Sequence, residues 1–245
     1  MSEARKAVVV GVGPEVGLGA ALCRRFGAEG LHVYVAGRTQ ANVEECARRI
    51  VAGGGQATPV VTDTSREEDV VRLFEIAERG DEGNIDVVVF NAGNMALGNV
   101  HEMDGAFFEQ AWRVGCFGGF LVGREAVRRM LARERGTVLY TGATASLRGR
   151  AATVAFAAAK FGLRAVAQSM ARAYGPQGIH VAHVIIDGGI AGDKIQKGVP
   201  QFAAAAGAEG LISLEGLCDA YWYLYTQPRT AWTHELDLRT FKEQF

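Results

Sequence analysis

The chain has 245 residues, of which 49% are hydrophobic and 22% are charged. This length and balance fit one globular domain with a sizeable core; the net charge of −1 favours no nucleic-acid or anionic-membrane partner, and no stretch is long and apolar enough to span a membrane. The four cysteines lie far apart and form no Cys-x-x-Cys pair, so the sequence predicts reduced thiols in a cytoplasmic protein, with no zinc site or other metal site.

Short apolar, β-branched runs alternate with longer helical patterns along the chain. The predicted strands are residues 6–12, 31–38, 56–63, 85–91, 136–141, 180–187 and 235–239, and the predicted helices include 16–30, 40–52, 66–79 and 154–174. Most of these strands are continuously apolar, which is typical of parallel strands that are covered on both faces. We therefore expect an α/β fold, a single Rossmann-like domain over 1–245 whose doubly wound parallel sheet of about seven strands carries helices on both faces.

The turn after the first predicted strand carries the spacing Gly13-x-x-x-Gly17-x-Gly19. Glycines let the backbone turn tightly and let a pyrophosphate approach the N-terminus of the next helix, where unpaired N–H groups and the helix dipole favour anions. Glycines also serve ordinary strand-to-helix turns. Because this motif lies in the first strand–turn–helix unit of the chain, we interpret it as a dinucleotide site.

The second predicted strand ends at Arg38, which Thr39 follows. A cofactor with a free ribose 2′-hydroxyl usually meets an acid near this position, about twenty residues beyond the glycines. The planar guanidinium of an arginine suits a 2′-phosphate instead. The sequence therefore favours NADP(H) over NAD(H), which stays the second candidate, and the alternative interpretation of Arg38 is a solvated side chain at a helix start.

Polar and small residues also follow the third and fourth predicted strands. Asp63 is placed to accept a hydrogen bond from an adenine amino group, and Asn91-Ala92-Gly93 would let the backbone pass close to the adenosine ribose. Either group also fits an ordinary role, as a helix N-cap or a turn. It is the ordered set after successive strands that indicates a cofactor site.

With Lys160 in its helix and Asp187-Gly188 after the sixth strand, these motifs resemble the short-chain dehydrogenase/reductase family along nearly the whole chain. The resemblance implies a bound NAD(P)(H), a small-molecule substrate, and a homodimer or homotetramer. The full set of predicted cofactor-binding residues is Gly13, Gly17, Leu18, Gly19, Arg38, Thr39, Asp63, Thr64, Asn91, Ala92, Gly93, Lys160, Gly188 and Ile190.

The main branch of that family transfers hydride to carbonyls with an Asn-Ser-Tyr-Lys tetrad, and most of the tetrad is missing here. Gly115, Ala143 and Phe156 occupy the first three positions, and only Lys160 remains. A general acid contributes on the order of 10²–10⁴ in rate, and one oxyanion donor on the order of 10²–10³. The sequence thus predicts a divergent branch, with Phe-x-x-x-Lys in place of Tyr-x-x-x-Lys, that keeps the cofactor site and takes its proton from another group.

Two residues are predicted to act beside Lys160 as catalytic groups. Ser146 follows the missing serine by three positions and is expected to reach the same pocket. Asp187 ends a buried strand near the expected nicotinamide, where desolvation favours a protonated carboxyl group that can donate. The alternative interpretation of Asp187 is a cap of the following turn. His183, on the same strand, is interpreted as a core or surface histidine.

Residues 188–212 follow the sixth strand and are predicted to form a substrate loop, with a short helix over 203–206. The aromatic stretch 221–225 is interpreted as core or oligomer interface, with a substrate wall as the alternative. Three functions stay open: an oxidoreductase acting on a small carbonyl, enone or imine compound, a cofactor-binding pseudoenzyme, and a non-redox isomerase or dehydratase that uses the same pocket.

Overall fold

A computed structural model of the protein describes residues 5–79 and 83–244. The seven strands of its sheet are β1 (Arg5–Val10), β2 (His32–Gly37), β3 (Gln56–Val61), β4 (Asn84–Phe90), β5 (Gly136–Thr141), β6 (Ile179–Asp187) and β7 (Glu235–Arg239). The α-helices are α1 (Leu18–Ala28), α2 (Gln40–Ala52), α3 (Glu67–Arg79), α4 (Gly105–Trp112), α5 (Gly118–Met130), α6 (Val154–Tyr174), α7 (Asp193–Gln196), α8 (Pro200–Ala206) and α9 (Leu214–Thr226).

The strands form one parallel sheet in the order β3-β2-β1-β4-β5-β6-β7. The predicted Rossmann-like α/β fold is confirmed. The chain winds outward from β1 through β3, then returns beside β1 with β4 and winds in the opposite direction. Between β1 and β4 the strand order reverses, and the crevice at the carboxyl ends of strands that flank such a reversal is where open α/β sheets bind ligands.

Each face of the sheet is covered by its own apolar layer. On one face, Val9 and Val33 pack with Phe26 of α1 and Tyr221 of α9. On the other face, Val8 and Val10 belong to a core that α3, α5 and α6 complete. This two-sided burial explains the continuously apolar strands, because no residue of such a strand faces water.

The first four predicted strands extend one or two residues too far at their carboxyl ends. Val12, Arg38, Asp63 and Asn91 lie beyond the paired residues of β1 to β4. Val12 and Arg38 line the crevice at this edge of the sheet, so the overestimate falls where the candidate site lies.

The aromatic stretch 221–225 lies in α9 and packs mainly inward. Tyr221 is fully buried, and the rings of Trp222 and Tyr225 each lie 5.9 Å from the ring of Phe26. The core interpretation therefore fits the inward face of this helix, while Tyr223 is exposed. No helix in residues 5–79 or 83–244 combines the length and the apolarity that crossing a bilayer requires.

Candidate cofactor and catalytic site

The turn after β1 is built so that the backbone passes close to β4. Gly11 has φ +93°, and a Cβ there would lie 2.4 Å from the backbone nitrogen of Ala92. A Cβ on Gly19 would lie 2.9 Å from Gly11 O. Asn91 completes the contact, since its Nδ2 donates to Gly11 O at 3.2 Å. These glycines are required by packing, and they hold the carboxyl ends of β1 and β4 together.

Gly13 differs from these two glycines, because nothing lies within 4 Å of the position its Cβ would take. Its open side is part of a groove. Helix α1 follows directly, with Gly17 as its N-cap, no side-chain cap and no acidic residue in its first turn. The first N–H groups of α1 thus have no competing side chain, which is the condition for an anion to bind there.

The groove collects residues from the ends of β1, β2, β3 and β4. Six of the predicted cofactor residues line it: Gly13, Arg38, Thr39, Thr64, Ala92 and Gly93. Sequence reasoning missed the others, which are Gly11, Val12, Pro14, Gly37, Asn42, Thr62, Asn94, Val114 and Lys194. Of these, Asn94 extends the Asn-Ala-Gly motif and was within reach of the sequence, while no local pattern marks Lys194.

Asp63 holds its own turn together. Its Oδ1 accepts from the backbone nitrogen and the hydroxyl of Ser65, at 2.9 and 2.7 Å. Its neighbours Thr62 and Thr64 are the residues that line the groove at this strand end. The geometry supports the turn alternative for Asp63, and its contact with adenine stays a prediction.

Lys160 lies on α6 with its side chain buried. Its Nζ donates to Thr141 O at 2.7 Å and lies 3.5 Å from the position of a Cβ on Gly93. Burial, and secondarily the charge of Lys194, lowers the pKa of Lys160 to about 8. A cationic donor that gives up its proton near neutral pH therefore lies behind the Gly93 end of the groove.

None of the three positions where the resemblance expects a polar tetrad residue carries a polar side chain. Phe156 lies one turn before Lys160, and its ring centre is 5.9 Å from Lys160 Nζ. Gly115 lies in a π-helical turn between α4 and α5, and a Cβ there would lie 3.0 Å from Ala159 Cβ. An asparagine side chain at position 115 would therefore be in tight contact with α6.

Ser146 does not reach the pocket, contrary to the prediction. Its side chain is fully buried, and its Oγ accepts from the backbone nitrogen of Ala143 at 3.1 Å. The same Oγ lies 3.4 Å from Nε2 of His183 on β6. Ser146 points into the protein because this polar partner, 37 residues away in the chain, lies beneath the turn.

A buried polar network continues from Ser146 to the last strand. His183 Nδ1 lies 3.1 Å from Oε2 of Glu235 on β7, and Arg164 of α6 donates to both oxygens of Glu235 at 2.6 and 2.7 Å. Burial lowers the pKa of His183 to about 4, so the imidazole is neutral near pH 7. With Nδ1–H donating to Glu235, Nε2 is left to accept from the Ser146 hydroxyl. The network fixes the turn that follows β5.

Asp187 is anchored by neighbouring side chains, and its role as an acid stays a prediction. Its Oδ1 accepts from the hydroxyl of Thr144, and its Oδ2 lies 3.6 Å from Arg148 Nη2 and 3.5 Å from Arg239 Nη1. Asp187 therefore ties the turn after β5 to the ends of β6 and β7.

The region 188–212 follows β6 and contributes Lys194 to the lining of the groove. Gly188 has φ +146°, and Ile190 forms an isolated bridge with Ile212. Helix α8 matches the short helix expected near 203–206, beginning three residues earlier. Exposed apolar side chains stand here and after Asn94, namely Phe202, Met95 and Leu97.

Comparison with known proteins agrees with this geometry. The family model described as short chain dehydrogenase matches residues 6–198. The chain is 30% identical over 182 residues to 2-(S)-hydroxypropyl-CoM dehydrogenase 3 of Xanthobacter autotrophicus, covering 74% of this chain and 71% of that protein. It is 31% identical over 175 residues to cis-4-hydroxycyclohexanecarboxylate dehydrogenase of Sinomonas cyclohexanicum, covering 71% and 70%. A solved short-chain dehydrogenase from Rhodopseudomonas palustris superposes with a TM-score of 0.83 at 35% identity, covering 97% of this chain and 99% of that one.

Proposed function

The chain belongs to the short-chain dehydrogenase/reductase family and is an oxidoreductase of its NAD(P)-dependent type; from this premise we propose that it transfers a hydride between NADP(H) and a small apolar carbonyl, enone or imine compound. The observation that carries the proposal is the buried Lys160, whose Nζ reaches the Gly93 end of the glycine-lined groove. When bound, the nicotinamide supplies or accepts the hydride.

The choice of NADP(H) over NAD(H) rests on the end of β2. Arg38 and Thr39 line the groove there, and no carboxylate stands among the described residues that line it. A guanidinium at this position suits a 2′-phosphate, whereas a ribose 2′-hydroxyl is usually held by an acid.

Lys160 takes the role of proton donor in this proposal. In reduction, its Nζ–H would supply the proton to the oxygen or nitrogen that gains electron density as hydride arrives, because Phe156 and Ala143 have no proton to give. A lowered pKa near 8 keeps the ammonium protonated at pH 7 and makes the neutral amine accessible for the reverse step. Its hydrogen bond to Thr141 O holds Nζ in place.

An apolar substrate would suit the exposed apolar side chains on the segments that follow β4 and β6. Met95, Leu97 and Phe202 are exposed hydrophobic side chains on the segments that follow β4 and β6. The two similar proteins reported above are named as dehydrogenases of hydroxy compounds, which favours ketone and alcohol chemistry within the proposed range.

Arg38 provides the test of the cofactor. Fluorescence titration of the purified protein with NADPH and NADH should show binding, with NADPH the tighter ligand. Arg38→Asp should weaken NADPH by about tenfold or more through loss of a charge-assisted contact, and should weaken NADH little. An equal loss of affinity for both cofactors would contradict the assignment of Arg38 to the 2′-phosphate. If the unaltered protein binds neither cofactor, the proposed function is refuted.

Turnover is measured next, as NADPH consumption at 340 nm against a panel of ketones, enones and imines. The rival function is a cofactor-binding pseudoenzyme, which the hydrocarbon at positions 115, 143 and 156 favours. The two are separated by single-turnover experiments: an oxidoreductase consumes bound NADPH with at least one member of the panel, whereas a pseudoenzyme binds NADPH and consumes none.

We further propose that the protein is a homodimer or homotetramer. Trp112, Phe120 and Phe161 are 39%, 43% and 43% exposed on α4, α5 and α6. Phe117 lies between two of them, with ring centres 6.0 Å from Trp112 and 6.2 Å from Phe120. Such a row of exposed aromatic rings is typical of a surface that another chain covers.

A further inference from the structure

Lys194 lies on α7, far along the chain from the glycine turn, yet it lines the same groove as Gly13 and Arg38. Its Nζ donates to Oδ1 of Asn94 at 3.1 Å. Asn94 follows β4, whereas Lys194 belongs to the segment after β6. The lysine side chain therefore reaches from the loop over the groove to the residues that form its opposite wall.

Backbone contacts hold helix α7 against the glycine turn that follows β1. The backbone nitrogen of Asp193 donates to Val16 O at 2.7 Å, and a Cβ on Gly192 would lie 2.8 Å from the same oxygen. Val16 precedes the N-cap of α1, so the loop after β6 and the turn after β1 are joined through their backbones. The position of Lys194 relative to the N-terminus of α1 follows from these two contacts.

The electrostatic influence of Lys194 reaches both ends of the groove. Partial desolvation of its side chain, and then the charge of Arg38, lowers the pKa of Lys194, and the charge of Lys194 adds to the effect of burial in lowering the pKa of Lys160. Arg38 marks the adenosine end and Lys160 the nicotinamide end. A cation that acts on both of them lies near the middle of the groove.

The middle of a dinucleotide is its pyrophosphate, and the groove offers no negative charge to balance Lys194. Among the described lining residues there are two cations and no carboxylate. In the proposed function, Arg38 binds the 2′-phosphate and Lys160 lies at the nicotinamide end. The two charges of the pyrophosphate are then left for Lys194 and the N–H groups at the start of α1.

We propose that Lys194 is a pyrophosphate-binding residue that the loop after β6 supplies, exchanging its hydrogen bond to Asn94 for one to a phosphate oxygen when the cofactor binds. Because α7 is attached to the glycine turn, this contact holds the loop over the bound cofactor. The inference rests on the proposed function, since it requires a dinucleotide in the groove.

The chain offers a matched control for the experiment. Lys197 lies at the end of the same short helix, is highly exposed and pairs with Asp193 at 3.0 Å, away from the groove-lining residues. Lys194→Ala and Lys197→Ala therefore remove the same charge from the same segment, and only the first removes it from the groove.

The ligands are NADPH, NADH and ADP-ribose, measured by calorimetric titration at two salt concentrations. All three contain the pyrophosphate, and only NADPH carries the 2′-phosphate. Lys194→Ala should weaken all three by a similar factor of about ten to a hundred, the effect of one charged hydrogen bond, and should reduce the salt dependence of binding. Lys197→Ala should leave the three affinities within about twofold, because it removes an exposed ion pair.

The results separate this inference from the function on which it rests. If the unaltered protein binds NADPH or NADH and Lys194→Ala matches Lys197→Ala, the inference is wrong and the proposed function stands. A loss confined to NADPH would assign Lys194 to the 2′-phosphate and also overturn it. Proteinase K digestion gives a second measure: NADPH should protect residues 188–212 in the unaltered protein and in Lys197→Ala, and protect them much less in Lys194→Ala.

Discussion

In the proposed function Lys160 has two roles that conflict energetically, since its ammonium group serves a ligand while its side chain is buried. Its Nζ donates a hydrogen bond to the backbone carbonyl of Thr141. Water would solvate the free cation better, and the lowered pKa expresses that cost. Two consequences follow at the scale of this residue, one for activity and one for stability.

The first prediction concerns the pH dependence of reduction. If Lys160 donates the proton, kcat/KM for a ketone should be constant below pH 7 and fall as pH rises through about 8, because the neutral amine has no proton of sufficient acidity to give. Burial is the larger cause of this pKa and the charge of Lys194 the smaller one, while the neighbouring His183 is neutral over this pH range. Stopped-flow measurement of the hydride-transfer rate from pH 6 to pH 10 tests this pH dependence.

Lys160→Ala serves as the control for that profile. It should lower the rate by on the order of 10²-fold or more, the contribution of a general acid, and what activity remains should lack the descending limb. An unaltered profile in a variant that still binds NADPH would show that the proton comes from elsewhere.

The second prediction concerns stability. Folding lowers the pKa of Lys160 from 10.5 to about 8, so the unfolded chain binds more protons than the folded one between these values. Stability should therefore rise with pH from 8 to 10.5, and below pH 8 the buried charge carries its full cost. Lys160→Met removes that charge and should raise the free energy of unfolding at pH 7 by up to about 3 kcal/mol, at 1.36 kcal/mol for each pKa unit.

Urea unfolding of the unaltered protein and of Lys160→Met, at pH 7 and at pH 10, tests the predicted direction of this pH dependence. The advantage of Lys160→Met should shrink at the higher pH, where the unaltered lysine is neutral in the fold. An equal difference at both values would mean that the charge of Lys160 is not what the substitution relieves.

At the scale of elements, the polar chain from Ser146 through His183 to Glu235 connects the turn after β5 with β6, β7 and α6. Replacing His183 by leucine keeps an apolar volume but leaves Ser146 and Glu235 without their shared partner. Buried groups that lose a hydrogen bond cost about 1–3 kcal/mol, and we expect a loss of that size in the free energy of unfolding.

His101→Leu is the control for this third prediction, because the side chain of His101 is 79% exposed and lies 3.6 Å from the neighbouring Glu102. It should change stability by less than about 0.5 kcal/mol. Thermal and urea unfolding of the two variants measure the difference, and a similar small effect in both would mean that the network contributes little.

The sequence predicted the interiors of the elements better than their ends and their partners. The apolar strand runs and the long α6 are local patterns, and their positions were right. The contacts of Ser146 and Asp187 could not be predicted in this way, because the direction of each side chain is set by residues such as His183 and Arg239 that are distant in the chain. The turn at 113–117 was also missed as a π-helical segment, since it depends on close packing against Ala159.

At the scale of the whole molecule, the glycine motif predicted where the groove lies, but not which residue would reach across it. Lys194 enters the groove through the attachment of α7 to the turn near Val16, a contact between segments about 180 residues apart. A loop without periodicity gives no local sign of such a contact. Sheet topology was predictable because it follows from the alternation of elements, whereas the loop's position follows from individual contacts.

The aromatic row on α4, α5 and α6 supports the fourth prediction, on assembly. Phe120→Asp places a charge in the middle of the proposed interface, where burying it costs more than the lost contacts of the ring. The unaltered protein should sediment as a dimer or tetramer at micromolar concentration, and Phe120→Asp should shift it towards the monomer. A matched change at the exposed Phe241, outside the row, should leave the sedimentation coefficient unchanged; a monomeric unaltered protein would contradict the proposed assembly.

Substitutions at Gly11 and Gly13, two residues apart, should have different effects, the first on folding and the second on ligand binding. A side chain at Gly11 has no room, because the backbone of Ala92 already occupies it. A Cβ at Gly13 has nothing within 4 Å and would enter the groove proposed for the cofactor. In the proposed function, natural variation at the first position would therefore lower the amount of folded protein, whereas variation at the second would weaken cofactor binding and leave that amount unchanged.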